Sequence, residues 1–429
     1  MFNKNNKIYL DYAATTPVDK EVLKEMLPYF SDKFGNASSV HSFGQEAIAA
    51  IDQAREKIAK LLNCDFSEII FTGSATEANN LAIKGFVVAK DSYRNLLRLI
   101  GTGKKFHIIS TNIEHESVLE PLKELEKLGH KITYLKVSKD GFVSVSDLEK
   151  NIKNNTLLVS VIYANNEIGT IQPVKEIGRL LEKINQKRQE NGLGKVYFHT
   201  DAVQALQFLE CRPDWLKADM MTFSGHKIYG PKGIGGLYVR NVQNVLNVVM
   251  KGKKIRIDNR TSTTSTSLQP IITGGGQEFG LRSGTENIAN IVGLAKAVEL
   301  TFKNREVRFK KAFNLRNKML NNIIKYNGSV KVNGSLENRL PNNLNLRFPG
   351  VSNETLIVGL DQAGVAISAG SACSSRATIA SHVLIALGLS QKEAKESIRI
   401  TIGKDTTKEE IKKAAKIINK TIKIPNPKS

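Results

Sequence analysis

Asp219-Met220-Met221-Thr222-Phe223-Ser224-Gly225-His226-Lys227 is the stretch that decides the architecture of this chain. Its apolar half suits a buried strand, and Ser224-Gly225 breaks that strand into a turn that leaves a lysine at its end. The same pattern recurs on the amino-terminal side. Short aliphatic runs at 69–72, 106–110, 157–162 and 196–199 read as further buried strands, and helical patterns are expected at about 77–89 and 117–127. Alternation of this kind predicts an α/β unit, a mostly parallel sheet wrapped by helices. Ligands of such sheets collect at the loops leaving the carboxyl ends of the strands, so the chemistry is sought there.

The alternation stops near Asn290. A long helical pattern at 291–325 follows, then strands at 343–348, 365–368 and 397–402, which predict a smaller α+β domain. A chain of 429 residues exceeds one ordinary domain. The expected division is an N-terminal segment, 1–20, joining the small domain; a large domain, 21–286; and a small C-terminal domain, 287–429. Residues 241–270, basic and then Ser/Thr-rich, read as a mobile surface insertion. Apolar residues make up 41% and charged residues 24%, the balance of a soluble globular protein, and no apolar run approaches the ~18 residues of a membrane span. The first residues carry neither a signal core nor an amphipathic presequence, so a cytoplasmic protein is expected, or an organelle-matrix one if the chain is a trimmed mature form.

The formal charge is +21. It suits an acidic partner. It also fits a composition rich in Lys and Asn, with the charge spread along the chain and no basic motif interleaved with aromatics, so direct nucleic-acid binding is not expected. The three cysteines, Cys64, Cys211 and Cys373, form no CxxC pair and no metal-ligand spacing. An odd, sparse count points to a reducing compartment with at least one free thiol.

Lys227, on a glycine-containing turn at a strand end, can meet an aldehyde cofactor as a Schiff base; a lysine alone is more often a surface residue. Asp201, at the end of the run 196–200, can pair with a protonated pyridine nitrogen, or simply cap the turn after it. Ser74-Ala75-Thr76-Glu77 lies between a strand and a helix, where backbone amides and the Thr76 hydroxyl can hold a phosphate or merely cap the helix. Gly274-Gly275-Gly276 and Arg282-Ser283-Gly284-Thr285 form a second glycine-rich, cationic stretch. His115, after the strand at 106–110, can stack on a flat cofactor and relay protons. Cys373 is flanked by small residues in Ser368-Ala369-Gly370-Ser371-Ala372-Cys373-Ser374-Ser375-Arg376. A structural cysteine belongs among Val, Leu and Ile. A thiol in this setting, with Arg376 near in sequence, reads as reactive.

Taken in order, these segments resemble the cysteine desulfurases, in the class V aminotransferase family of pyridoxal-phosphate enzymes. The matching stretches include Tyr9-Leu10-Asp11-Tyr12-Ala13-Ala14-Thr15-Thr16-Pro17, Asn165-Asn166-Glu167-Ile168-Gly169, Ser224-Gly225-His226-Lys227, Arg282-Ser283-Gly284-Thr285 and Gly370-Ser371-Ala372-Cys373. The last is similar to the group with a long mobile catalytic-cysteine loop. The resemblance spans roughly residues 8–420 and implies an aspartate-aminotransferase-like fold whose large domain binds pyridoxal 5'-phosphate.

It implies that Lys227 holds the cofactor and then acts as base, that Asp201 pairs with the ring nitrogen, that Gln204 contacts the ring oxygen and that His115 stacks on the ring. Ala75, Thr76, Ser224 and His226 would hold the phosphate, with Thr285 joining from the second subunit of a homodimer. Asn166 and Arg399 would receive the carboxylate of L-cysteine. The implied reaction yields alanine and leaves sulfur on Cys373 as a persulfide, to be passed to an iron–sulfur scaffold or a tRNA-thiolation enzyme. The alternatives are a selenocysteine lyase or aminotransferase of the same fold and, outside enzymes, a basic RNA-binding protein. Ser74 stands where the family often has glycine. The insertions at 91–104 and 240–270, and a carboxyl end with little beyond the last helix, depart from compact members and leave the sulfur acceptor open.

Overall fold

A computed structural model describes residues 7–95, 105–244, 266–370 and 380–422. Its strands are, in chain order, β1 (Ile8–Tyr9), β2 (Ile69–Thr72), β3 (His107–Thr111), β4 (Lys131–Leu135), β5 (Thr156–Ser160), β6 (Tyr197–Asp201), β7 (Met220–Ser224), β8 (Gly235–Val239), β9 (Val242–Asn244), β10 (Thr266–Leu268), β11 (Lys331–Val332), β12 (Asn343–Arg347), β13 (Val365–Ala366) and β14 (Ser397–Thr401). Seven of them form one sheet in the order β2-β8-β7-β6-β5-β3-β4. From β7 to β4 the neighbours run parallel, and β8 lies reversed between β7 and β2.

Because β3, β5, β6, β7 and β8 are buried along their whole length, each sets apolar residues at consecutive positions rather than alternating them with exposed polar ones. Side chains still alternate between faces. Ile109, Val159, Phe198, Met221 and Phe223 enter one core, whereas Ile108, Leu158, Tyr197 and Met220 enter the core on the opposite face.

The helix expected at 77–89 begins at Ala75, two residues earlier, because the Ser74 side chain caps it by accepting from the Glu77 amide. It continues through a π turn at Leu81–Gly85 to Asn95. Part of the expected insertion, residues 245–265, lies outside the described residues. Its flanks are β9 and β10, which pair in parallel.

A second core lies in the carboxyl-terminal part, where β12 pairs antiparallel with both β11 and β14. Ile8 and Leu10 of the N-terminal segment enter this core, and β1 pairs with β13. The 39-residue helix Ile288–Tyr326 serves both cores. At ~1.5 Å per residue it is about 58 Å long. Its first part sends Ile291, Leu294 and Val298 into the large core, and its last part sends Leu315, Met319 and Ile323 into the small one.

Leu294 and Met319 are both fully buried on this helix. Leu294→Ala and Met319→Ala should each cost about 2–5 kcal/mol, read from urea denaturation. Since one helix carries both residues, each variant should still unfold in a single transition. Two separated transitions would mean that the helix does not couple the cores.

Candidate active site

The turn after β7 is the one-turn 3-10 helix Gly225–Lys227. It places the Lys227 amine on the N-terminal segment, where Nζ donates to the carbonyls of Ala13 (2.6 Å) and Ala14 (2.9 Å). Gln204 Nε2 also donates to the Ala13 carbonyl, at 3.0 Å. The turn is held under backbone strain. Tyr229 has φ +67°, a left-handed conformation that costs a bulky residue, and it is fixed by the Thr16 hydroxyl oxygen accepting its amide and the Lys404 amide donating to its phenol oxygen. Next to the lysine, His226 approaches Thr15 Oγ1 through Nδ1 at 3.2 Å. Burial, reinforced by the charges of Lys227 and Lys232, pushes its ring down to about 4, so it is neutral near pH 7.

One strand over, Asp201 ends β6 and is only 4% exposed. Its Oδ1 accepts from the Val203 amide at 3.0 Å, the turn cap expected of it. Its Oδ2 accepts from Asn79 Nδ2 at 2.8 Å. Both donors are neutral, so a buried carboxylate faces the site without a cation among these contacts. The Asn79 amide also reaches Ser117 Oγ at 2.8 Å, and Ser117 Oγ lies 2.8 Å from His115 Nδ1. His115 is the N-cap of the helix Glu116–Lys127.

The third cluster is the helix start at Ala75. A Cβ on Gly235 would fall 2.6 Å from the Ser74 carbonyl carbon and 2.7 Å from the Ala75 nitrogen, so glycine is required there for the helix to abut β8. Gly235 pairs with Ser224 on one side and Thr72 on the other, which brings Ser224, Ala75 and Thr76 together at the carboxyl ends of the strands. Thr285 lies in the loop 282–287. It is exposed, on the rim of a cavity of about 210 Å³ lined also by Gly73, Gly233 and Arg282.

Arg399, 1% exposed on β14, donates from Nη1 to the Asn166 carbonyl (2.9 Å) and from Nη2 to Asp11 Oδ1 (2.8 Å). Its Nε is buried without a hydrogen-bond partner. Cys373 and Arg376 lie outside the described residues. Cys64 and Cys211 are described, and burial pushes both thiols up to about 12, so they stay protonated.

The model of class V aminotransferases matches residues 8–414. The chain belongs to that family. It is 42% identical to the cysteine desulfurase IscS of Dictyoglomus turgidum, over 97% of this chain and 94% of that one, and 41% identical to cysteine desulfurase IscS 1 of Archaeoglobus fulgidus, over 96% and 95%. Among solved structures it is similar to a NifS-like protein (35% identity, TM-score 0.81, covering 96% of this chain and 98% of that one). It is also similar to SspA in complex with cysteine (38% identity, TM-score 0.72, covering 92% and 98%).

The cofactor of this class V aminotransferase is pyridoxal phosphate, and the residues fit it. A buried carboxylate answered by neutral donors suits a cationic ring nitrogen, a glycine-enforced helix start suits a phosphate, and an amine presented by a strained turn suits an aldehyde.

Two further residues stood inside the matching stretches with no role assigned to them. Glu167 is 1% exposed, accepts from Ser381 Oγ at 2.5 Å, and leaves no room for a side chain at position 370, where a Cβ would fall 2.8 Å from its Oε2. It therefore touches both flanks of the segment that carries Cys373. Glu114 is fully buried, and its Oε1 accepts from Thr111 Oγ1 (2.7 Å) and the Ile162 amide (2.9 Å). Burial chiefly, and the charge of Asp201 in part, push its carboxyl up to about 8. In sequence each was one acidic residue beside a more conspicuous neighbour, Asn166 and His115.

Glu114 makes stability pH-dependent. Unfolded, it ionises near its ordinary value of 4.5; folded, only near 8. Between those values the folded state holds the extra proton, so its contribution is full below pH 4.5 and is lost as pH rises through 8, at up to ~1.4 kcal/mol per pH unit. Glu114→Gln should therefore gain stability relative to the parent between pH 5 and pH 8, measured by urea midpoints. A difference that does not change with pH would contradict this.

Proposed function

We propose that this protein is a cysteine desulfurase, which converts L-cysteine to L-alanine and takes the sulfur onto Cys373 as a persulfide. The reading rests on the lysine turn of β7 standing one strand from a buried carboxylate that neutral donors alone contact, with a buried arginine beside Asn166. Relatives named as cysteine desulfurases support it over nearly the whole chain.

Bound pyridoxal phosphate supplies an electron sink for the negative charge left when the substrate Cα loses its proton. Asp201 pairs with the ring nitrogen, Gln204 contacts the ring oxygen and His115 stacks on the ring. Ala75, Thr76, Ser224 and His226 hold the phosphate. Arg399 and Asn166 receive the substrate carboxylate. Arg399 now holds the Asp11 carboxylate, so substrate enters by exchanging one carboxylate for another on a guanidinium fork. Lys227 takes the Cα proton. The Cys373 thiolate then attacks the substrate sulfur: an S–S bond forms, the C–S bond breaks with its electron pair left on the substrate Cβ, Cβ takes a proton, and Lys227 returns to Cα the proton it took, which gives alanine. Cys64 and Cys211, held protonated by burial, are unsuited to that attack.

The protein acts as a homodimer in which the partner subunit's Thr285 completes the phosphate site. Thr285 is exposed, and Leu27, Phe30, Phe34, Val40 and Phe43 present an apolar surface, with Val40 92% exposed. The persulfide passes to a protein acceptor, an iron–sulfur scaffold or a tRNA-thiolation enzyme, in a reducing cytoplasm or organelle matrix. No helix among the described residues is long and apolar enough to cross a membrane.

The purified protein should be yellow, and borohydride should fix the cofactor to Lys227, read by peptide mass. Lys227→Ala should lose the visible band. Cys373→Ala should keep the band but lose alanine formation from cysteine by roughly 10²-fold or more. Full alanine and sulfide release by Cys373→Ala would replace the proposal with a lyase of the same fold, and a colourless protein would end it.

A further inference from the structure

Asn79 is fully buried in the helix Ala75–Asn80, an interior position where asparagine is a poor helix former. Its contacts explain its presence. The amide nitrogen has two hydrogens, one directed to Asp201 Oδ2 and one to Ser117 Oγ, both at 2.8 Å. An ionised carboxylate only accepts, so the amide must face it with nitrogen; the reversed amide would set Oδ1 against the carboxylate. Oδ1 is left buried without a partner, a cost tolerated because both hydrogens of Nδ2 are used.

The direction of the next bond follows. Ser117 Oγ accepts from Asn79 and is free to give its own hydrogen to His115 Nδ1, 2.8 Å away. The backbone amide of Ser117 points at the same nitrogen, 3.1 Å distant, because His115 is the N-cap of its helix. Nδ1 is therefore an acceptor, and the ring hydrogen belongs on Nε2. Remove the Asn79 amide and the Ser117 hydroxyl loses the donor that directs its own hydrogen to Nδ1; remove the hydroxyl and Nδ1 loses the shorter of these two contacts.

We infer that Asn79 and Ser117 are positioning residues that fix the hydrogen of His115 on Nε2 and tie that choice to the Asp201 carboxylate. The role presupposes the reading above, in which Asp201 and His115 serve the same cofactor ring. One hydrogen-bonded chain then joins the group at the ring nitrogen to the group over the ring. A histidine held in a single tautomer offers a donor at Nε2 in every turnover, whereas a mixture of tautomers offers one in only a fraction of them.

The test uses ¹⁵N-histidine-labelled holoenzyme, with His115 assigned by loss of its signals in His115→Asn. The parent should show one nitrogen shift typical of an unprotonated acceptor and one typical of N–H. Ser117→Ala and Asn79→Leu should move both shifts toward the averaged values of a tautomer mixture, and Ser117→Thr, which restores a hydroxyl, should return them to the parent pattern. In the alanine-forming assay Ser117→Ala should lower kcat about tenfold with KM within about twofold, and Ser117→Thr should recover it. An unchanged His115 pattern in Ser117→Ala overturns the inference, whether or not Asn79→Leu folds. Failure of the desulfurase reading looks different: the parent itself would form no alanine from cysteine, while the nitrogen shifts could still be read.

Discussion

A carboxylate carried into a protein interior has to be compensated, and Asp201 is compensated by neutral groups. At 4% exposure it holds an amide hydrogen from Asn79 and a backbone hydrogen from Val203. Those donors orient the charge without neutralising it, which leaves the site set for a cation. Much of the site is arranged around that demand. The helix from Ala75 must lie close enough for Asn79 to reach Asp201, which requires glycine at 235, and the same approach carries the helix start to Ser224. A single packing decision thus sets one helix against both groups proposed for the cofactor's ring nitrogen and phosphate: its Asn79 reaches the buried carboxylate, and its start lies by Ser224.

The N-terminal segment binds that arrangement to the rest of the molecule. Residues 11–16 run between the two cores: the Ala13 and Ala14 carbonyls hold the Lys227 amine, the Thr16 hydroxyl donates to the His226 carbonyl, and the Ala13 amide donates to Thr401 Oγ1 on β14. Asp11 adds an ion pair to Arg399. The amine proposed for the aldehyde and the guanidinium proposed for the substrate carboxylate are therefore both held by one short stretch of backbone. The helix Ile288–Tyr326 does the same on a larger scale, because moving either core relative to the other would bend a continuous helix through both.

The difference between a desulfurase and its aminotransferase relatives lies in where sulfur goes. The two described thiols are inert by burial, and the third cysteine sits in a sequence of small residues whose flanks meet at Glu167. One carboxylate thus stands against both Gly370 and Ser381. The carbonyl of Asn166, the residue before Glu167, accepts from Arg399, so one peptide bond separates that contact from the arginine proposed for the substrate carboxylate.

The sequence by itself determined the architecture. Strands buried on both faces carry apolar residues at consecutive positions, and the break at Asn290 is a change of periodicity, so both survive as one-dimensional patterns. It also marked candidates for the site, because Lys227, Asp201 and His115 each sit beside a local strand or turn signal, whereas Arg399 stood out only through the family resemblance. Tertiary structure alone decided the partners. Nothing in the spacing of 79, 117 and 201 says that an amide would bridge a hydroxyl and a carboxylate, and nothing local says that Asp11 would occupy Arg399 or that Glu167 would meet residues some 200 positions later. Those contacts depend on which strand ends lie side by side. Strand order is fixed by packing around the sheet, and packing leaves no periodic trace in the chain.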